Sequence, residues 1–170
     1  MSSLKFEEQQ QFRQRWVYMV YVLLFALLVL FIYADIEQII FGRLFGDKPA
    51  SNFVLILLTL FILSLLVLLY YIKLETLISD EGVCFRWRPF QKTYRKFDWG
   101  EIGKAEIINY GFVGYGWRLT PYGTIYNVAG DTGLQLHLKS GKKVVLGTQK
   151  ANELADFLRQ INRLGYYTGT

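Results

Sequence analysis

A run of twenty residues, 53–72, contains no charged side chain, and only Thr59, Ser64, Tyr70 and Tyr71 within it carry a polar side-chain atom. A helix rises about 1.5 Å per residue, so such a run covers about the 30 Å hydrocarbon core of a bilayer. Backbone groups in lipid are satisfied only in helices and closed barrels, and unbroken Val, Ile and Leu without alternation excludes a barrel strand. The run therefore predicts a transmembrane helix.

A second apolar run, residues 16–34, precedes it with nineteen uncharged residues. A cleaved signal peptide has a shorter apolar core, about 7–15 residues, and a small-x-small site after it. Here Asp35-Ile36-Glu37 follows instead, so we expect a second transmembrane helix. Trp16, Tyr18, Tyr21 and Tyr33 mark the edges of the first run, and Phe53, Tyr70 and Tyr71 those of the second. Amphipathic rings favour the headgroup level, so ordinary anchoring accounts for them. Neither run holds an ionisable residue or a GxxxG pair, which points to an anchor or a partner-contact surface rather than a pore.

These runs set the expected organisation. Residues 1–15 form a polar, Gln-rich cytoplasmic segment, read as a short helical lead-in. Residues 16–72 form the transmembrane hairpin, with an external loop at 35–52. Ile36, Ile39, Ile40 and Phe41 have helical spacing, so the first helix is expected to run on into that loop until Gly42 ends it. Residues 73–165 form one cytoplasmic domain, and 166–170 a short tail. The orientation rests on Lys and Arg near the membrane ends, which favour the cytoplasm: Arg13 and Arg15 on one flank, Lys73, Arg86 and Arg88 on the other.

The formal net charge is +5, and residues 73–170 carry all of it, with fourteen Lys and Arg against nine Asp and Glu. A basic domain tethered at a membrane points first to anionic headgroups. No nucleic-acid motif accompanies the charge, and no nucleic-acid partner is expected. One cysteine, Cys84, excludes an internal disulfide, and with one histidine, His137, it supplies no recognisable zinc set.

From Lys73 the pattern becomes that of strands. In Val83-Cys84-Phe85-Arg86-Trp87-Arg88, apolar and polar residues alternate with period two, and Pro89 stops the run. About seven short strands follow one another between residues 74 and 146, closing on a hairpin of 134–138 with 143–146. Ala151, Leu154, Ala155, Leu158 and Ile161 then form one stripe of an amphipathic helix, for which Gly165 is the expected stop. A run of strands with one terminal helix implies an antiparallel barrel or sandwich covered by that helix.

Four sequence features recur in order across residues 74–164. They are Ile78-x-x-x-Gly82-Val83; Trp99-x-x-Ile102; Tyr115-Gly116-Trp117-Arg118 followed by Tyr126-Asn127-Val128-x-Gly130-x-x-Gly133; and Gly141-Lys142-Lys143-x-Val145-Leu146-Gly147-Thr148-Gln149-Lys150. In these the domain resembles the bacterial pleckstrin-homology-like domains that follow one or two transmembrane helices. It departs from them at Ala151, where proline is common, and in lacking any motif tied to a known ligand. The resemblance implies an α+β membrane protein of the bacterial inner membrane, with two transmembrane helices followed by a pleckstrin-homology-like antiparallel β-barrel or sandwich and a C-terminal helix. Both termini would be cytoplasmic. It carries no general enzymatic activity and no cofactor.

Two surface constellations are candidates for contact. The first is basic: Arg86, Arg88, Lys92, Arg95 and Lys96 on one hairpin, suited to lipid headgroups or an acidic partner, against the plainer reading of a solvated strand face. The second is Phe112, Val113, Tyr115 and Trp117 in and after a glycine loop, suited to a membrane surface or a partner's groove. Its plainer reading, which we favour, is a bulged connection whose aromatics fold back on the core. No nucleophile–base set can be assembled around His137 or Cys84. The expected function is a non-enzymatic, membrane-anchored interaction or scaffold module within a larger membrane complex, its partners being membrane lipids and a membrane protein or a second copy. The alternatives are a sensor of anionic lipid acting through the basic hairpin, and a regulatory or assembly subunit of a membrane enzyme or transporter.

Overall fold

The computed structural model describes residues 4–111 and 114–165. The chain is α+β and forms two compact units: residues up to Phe12 together with those from Ile72 onward, and Arg13–Tyr71 between them.

The helical unit holds two helices long and apolar enough to cross a membrane. Helix α1 covers Arg15–Asp35 and continues through a wider turn at Ile36–Ile40, where Phe41 N–H donates to Ile36 O at 3.2 Å, five residues back. The extension past residue 34 agrees with the apolar spacing there. Gly42, at φ +67°, stops it in a left-handed conformation that costs glycine nothing. Helix α2 covers Asn52–Tyr71. Few apolar side chains are buried here (Val17, Leu28, Ala34, Leu55 and Ile62), and most of the rest are exposed. Gln38 ties the connection, its Nε2 donating to Ala50 O at 2.7 Å and to Asn52 Oδ1 at 2.8 Å.

The strand unit differs from the expected architecture at its first element. Residues 5–11 are not a helical lead-in in a separate segment. They form strand β1 (Lys5–Gln11), which pairs antiparallel along its whole length with β2 (Lys73–Ser79), from Lys5 opposite Ser79 to Gln11 opposite Lys73. The helical unit is thus an insertion between two neighbouring strands of one sheet. β3 (Gly82–Arg88) and β4 (Arg95–Asp98) complete a four-stranded sheet in the order β1-β2-β3-β4.

The second sheet has five strands: β5 (Ile102–Asn109), β6 (Gly116–Thr120), β7 (Gly123–Asn127), β8 (Thr132–Leu138) and β9 (Lys143–Gly147), in the order β5-β8-β9-β7-β6. The two sheets do not close into a barrel, and the second is not wholly antiparallel. The link from β7 to β8 reverses the chain, the β8–β9 hairpin reverses it again, and β9 lies between β8 and β7, so β7 and β9 run parallel. Gly123 permits the approach: its φ is +110°, and a Cβ there would strike the Lys143 carbonyl of β9.

One core joins the sheets. Leu74, Ile78, Val83 and Phe85 from the first meet Ile107, Leu134, Leu136 and Leu146 from the second. Helix α3 (Ala151–Gln160) adds Leu154, Ala155 and Leu158, the stripe read from its spacing. It ends before Gly165. Asn162, at φ +53°, takes the left-handed position; its N–H donates to Arg159 O at 3.0 Å, and that of Arg163 donates to Leu158 O at 2.8 Å, the double bond pattern of a Schellman motif. Gly165 instead lies against β5, donating to Ala105 O at 2.7 Å, where a Cβ would come within 2.9 Å of that oxygen.

Candidate functional site

The strand alternation that buries Val83, Phe85 and Trp87 puts Cys84, Arg86 and Arg88 on the opposite face of β3. Cross-strand pairing sets Glu75 of β2 opposite Arg86, and Lys96 of β4 opposite Cys84. Glu75 is buried and gathers the arginines: its Oε2 accepts from Arg86 Nε at 2.9 Å, from an Arg86 terminal nitrogen and from Tyr94 Oη at 3.0 Å, while Arg88 lies 3.6 Å from its Oε1. The Arg86 guanidinium also stacks over the Tyr94 ring at 4.3 Å. Burial pushes the Glu75 carboxyl up, but the hydrogen bonds from Arg86 and Tyr94 and the two arginine charges outweigh it and hold it below the ordinary range.

The five basic candidates therefore do not form one free patch. Arg86 and Arg88 share Glu75, and Lys96 lies 3.3 Å from Glu81 and 3.0 Å from Asp98. Lys92 lies in the turn after Pro89, where its carbonyl accepts from Arg86. Arg95 pairs opposite Phe85 and so belongs to the other face of the sheet, over the Phe97 ring at 5.3 Å, with a nitrogen 3.4 Å from Tyr126 Oη.

Of the second constellation, Phe112 and Val113 lie outside the described residues. Tyr115 meets the Phe12 ring edge-on at 6.2 Å, and Trp117, on edge strand β6, is 64 % exposed. Asn127 Nδ2 fixes the near side of the glycine loop by donating to Gly114 O at 3.0 Å.

A cavity that the sequence did not announce lies beside Trp117. Phe12, Ile72, Trp87, Phe90, Trp117 and Tyr126 are its main lining, and its volume is about 480 Å³. Trp117 and Tyr126, opposite each other on β6 and β7, also wall a second hollow of about 420 Å³ that contains Arg95, Lys142 and Lys143. The contributing residues come from strands far apart in sequence, so no local pattern marks them. Phe12 precedes the helices and Ile72 follows them, and only the β1–β2 pairing brings the two ends to one sheet edge.

His137 and Glu106, on paired strands β8 and β5, do meet: His137 Nε2 is 2.7 Å from Glu106 Oε1, and Lys104 Nζ is 2.7 Å from its Oε2. Burial raises the Glu106 carboxyl, and the bonds from Lys104 and His137 more than reverse that. Cys84 is half-buried, and burial pushes its thiol up, away from the reactive thiolate. Among the described residues, no group of three or more His, Cys, Asp or Glu side chains is arranged to hold a metal. In the helical unit, Thr59 Oγ1 donates to Asp35 Oδ2 at 2.7 Å. Thr59 is seven residues into α2, about 10 Å along its axis. A carboxyl from just beyond the first apolar run is thereby held against the second helix about a third of the way along it.

No family model matches the chain, and no curated protein is similar to it in sequence.

Proposed function

We propose that this chain is a non-enzymatic, membrane-anchored interaction module. Its helical pair spans the cytoplasmic membrane of a bacterium, and its strand domain, of pleckstrin-homology-like type, works on the cytoplasmic side as a component of a larger membrane complex. The observation that carries this reading is the seven-residue pairing of β1 with β2 around the two apolar helices. If both helices span, this pairing requires an even number of crossings, and the whole strand domain then lies on one side. Arg13 and Arg15 before α1 and Lys73 after α2 favour the cytoplasm for that side. The run of strands, the terminal amphipathic helix and the order of the glycine and tryptophan motifs support the pleckstrin-homology-like assignment. The exposed cavity at Trp117 offers a contact surface for a partner.

The titratable side chains that meet in the strand unit are spent on one another, as in Glu75 with Arg86 and Glu106 with His137, which favours interaction over catalysis. Sensing of lipid through the basic hairpin is the weaker alternative, because Glu75 already engages two of its arginines. A regulatory or assembly subunit differs from the leading reading only in the partner.

Topology tests the anchor. Epitopes at the two ends should both resist protease in intact cells, while a cysteine at the α1–α2 connection (Asp47→Cys) should be labelled from outside. Ends on opposite sides of the membrane would refute the arrangement. Gentle extraction of the native protein should recover a stoichiometric partner, and a lone monomer would remove the scaffold reading.

A further inference from the structure

We propose that the two adjoining hollows at Trp117 form a binding site for a single anionic phospholipid, with an acyl chain in the apolar cavity and the phosphate on Arg95, Lys142 and Lys143. The inference rests on the membrane-anchored reading and names a ligand for that surface.

Three observations converge. The first is the change in lining along one continuous surface. Phe12, Ile72, Trp87 and Phe90 make one hollow apolar, Arg95, Lys142 and Lys143 make the other cationic, and Trp117 with Tyr126 walls both. An amphiphile with an anionic head has this same order of chemistry. A free phosphate would have no use for the apolar half, and a neutral apolar ligand none for the cationic half.

The second is the state of the charges. Arg86, Arg88 and Lys96 each have a carboxylate partner, whereas Arg95, Lys142 and Lys143 have no ion-pair partner among the described residues. Lys142 and Lys143 stand at the β8–β9 turn, and both are exposed. The surface thus keeps three uncompensated cations where a phosphate would bind.

The third is covalent. Phe12 and Ile72 are each bonded directly to the terminal residues, Arg13 and Tyr71, of the helical unit. Phe12 lies three residues before α1 and Ile72 directly follows α2, so both apolar lining residues are close in the chain to the candidate membrane spans. The cavity of about 480 Å³ also falls within the range of about 300–1,000 Å³ typical of small-molecule sites.

The test uses the full chain in phosphatidylcholine nanodiscs doped with phosphatidylglycerol that carries a diazirine near its acyl terminus, with adducts mapped by mass spectrometry. Adducts are expected on peptides containing Phe90 and Trp117. Charge reversal of Arg95, Lys142 and Lys143 together should lower that yield at least about fivefold, since each cation near an anionic headgroup contributes substantially. Trp117→Asp, at an exposed position, should lower it as well, and Lys139→Glu should leave it unchanged. The same diazirine on phosphatidylcholine should label the cavity weakly. Equal labelling by both lipids, or labelling indifferent to the three cations, would overturn the proposal. So would adducts confined to residues 15–71, including the case in which a protein partner fills the cavity. Resistance of the chain to alkaline extraction separates the two readings. An extracted chain refutes the membrane anchor and this site together, and a retained chain with an unlabelled cavity refutes the site alone.

Discussion

Replacement of Glu8 by alanine should detach the first strand from the second sheet. Glu8 is buried on β1, where its Oε2 accepts from Thr148 Oγ1 at 2.6 Å and its Oε1 from the Gln149 N–H at 2.7 Å. These bonds join residues 140 and 141 positions apart, and with the Gln10 side chain on the Gly147 carbonyl they fasten the edge strand to the end of β9. A hydrogen bond to a charged acceptor contributes about 1.5–3 kcal/mol, and truncation leaves two donors without this acceptor, one of them, the Thr148 hydroxyl, buried. Allowing for partial relaxation, the loss is about 3 kcal/mol, or about a hundredfold in the opening equilibrium of the strand. Amide hydrogen exchange of the full chain reads this directly, because local opening of β1 is reported by its own N–H groups. Glu8→Ala should speed exchange in β1 by about that factor while β8 and β9 keep their protection. Glu8→Gln keeps the acceptor for Gln149 and should lose only about 1 kcal/mol. Unchanged protection of β1 in Glu8→Ala would refute the idea that this carboxylate holds the two sheets together.

Two further outcomes follow from the same structure. Glu75 and Glu106 have carboxyls held below their ordinary value of 4.5, and a folded-state pKa below the unfolded one gives stability that is complete above the unfolded value and lost as pH falls through the folded one. Urea unfolding followed by tryptophan fluorescence should therefore show stability level from neutral pH down to about 5 and falling below it, with a shallower fall in Glu75→Gln; identical slopes would contradict the role given to Glu75. At the end of α3, Asn162→Gly should leave thermal stability unchanged or slightly raised, whereas Asn162→Val should cost about 1–2 kcal/mol for its positive φ, and equal melting of the two would deny the left-handed cap.

The parts of this fold that were legible in the sequence are those whose side chains reveal burial by being apolar. Val83, Phe85 and Trp87 alternate with polar residues, Leu154, Ala155 and Leu158 recur at helical spacing, and the two uncharged runs fit helices, so β3, α3, α1 and α2 appear where periodicity puts them. β1 has the same alternation of buried and exposed positions, but its inward residues are Phe6, Glu8 and Gln10. Two of the three are polar and bond to Gly147, Thr148 and Gln149, more than a hundred residues away, so nothing local distinguishes the strand from a solvated helix. The basic hairpin is legible only in part. Its charges are legible, but Glu75 lies on a different strand, and one position in Tyr94–Trp99 decides whether Arg95 joins Arg86 or faces Tyr126. The apolar cavity is the least legible feature, because it is assembled from both sheets and both ends of the helical insertion.

The polar character of β1 also bears on how the strand unit is completed. β1 leads the helices, but its partner β2 follows them, and the acceptors and donors that fix its inner face arrive only with Gly147 to Gln149. The strand therefore has no backbone partner until the helical insertion and β2 exist, and its inner polar side chains have none until nearly all of the second sheet does. A strand with an apolar inner face would spend that interval as an exposed edge, the kind of segment that pairs with the wrong chain. Glu8 and Gln10 remain well hydrated while they wait, and only Phe6, which meets the Phe157 ring of α3 at 6.0 Å, brings substantial apolar surface to the contact. The same chemistry that hides β1 from periodicity suits it to dock last, by hydrogen bonds that select one register rather than by apolar burial that would accept several.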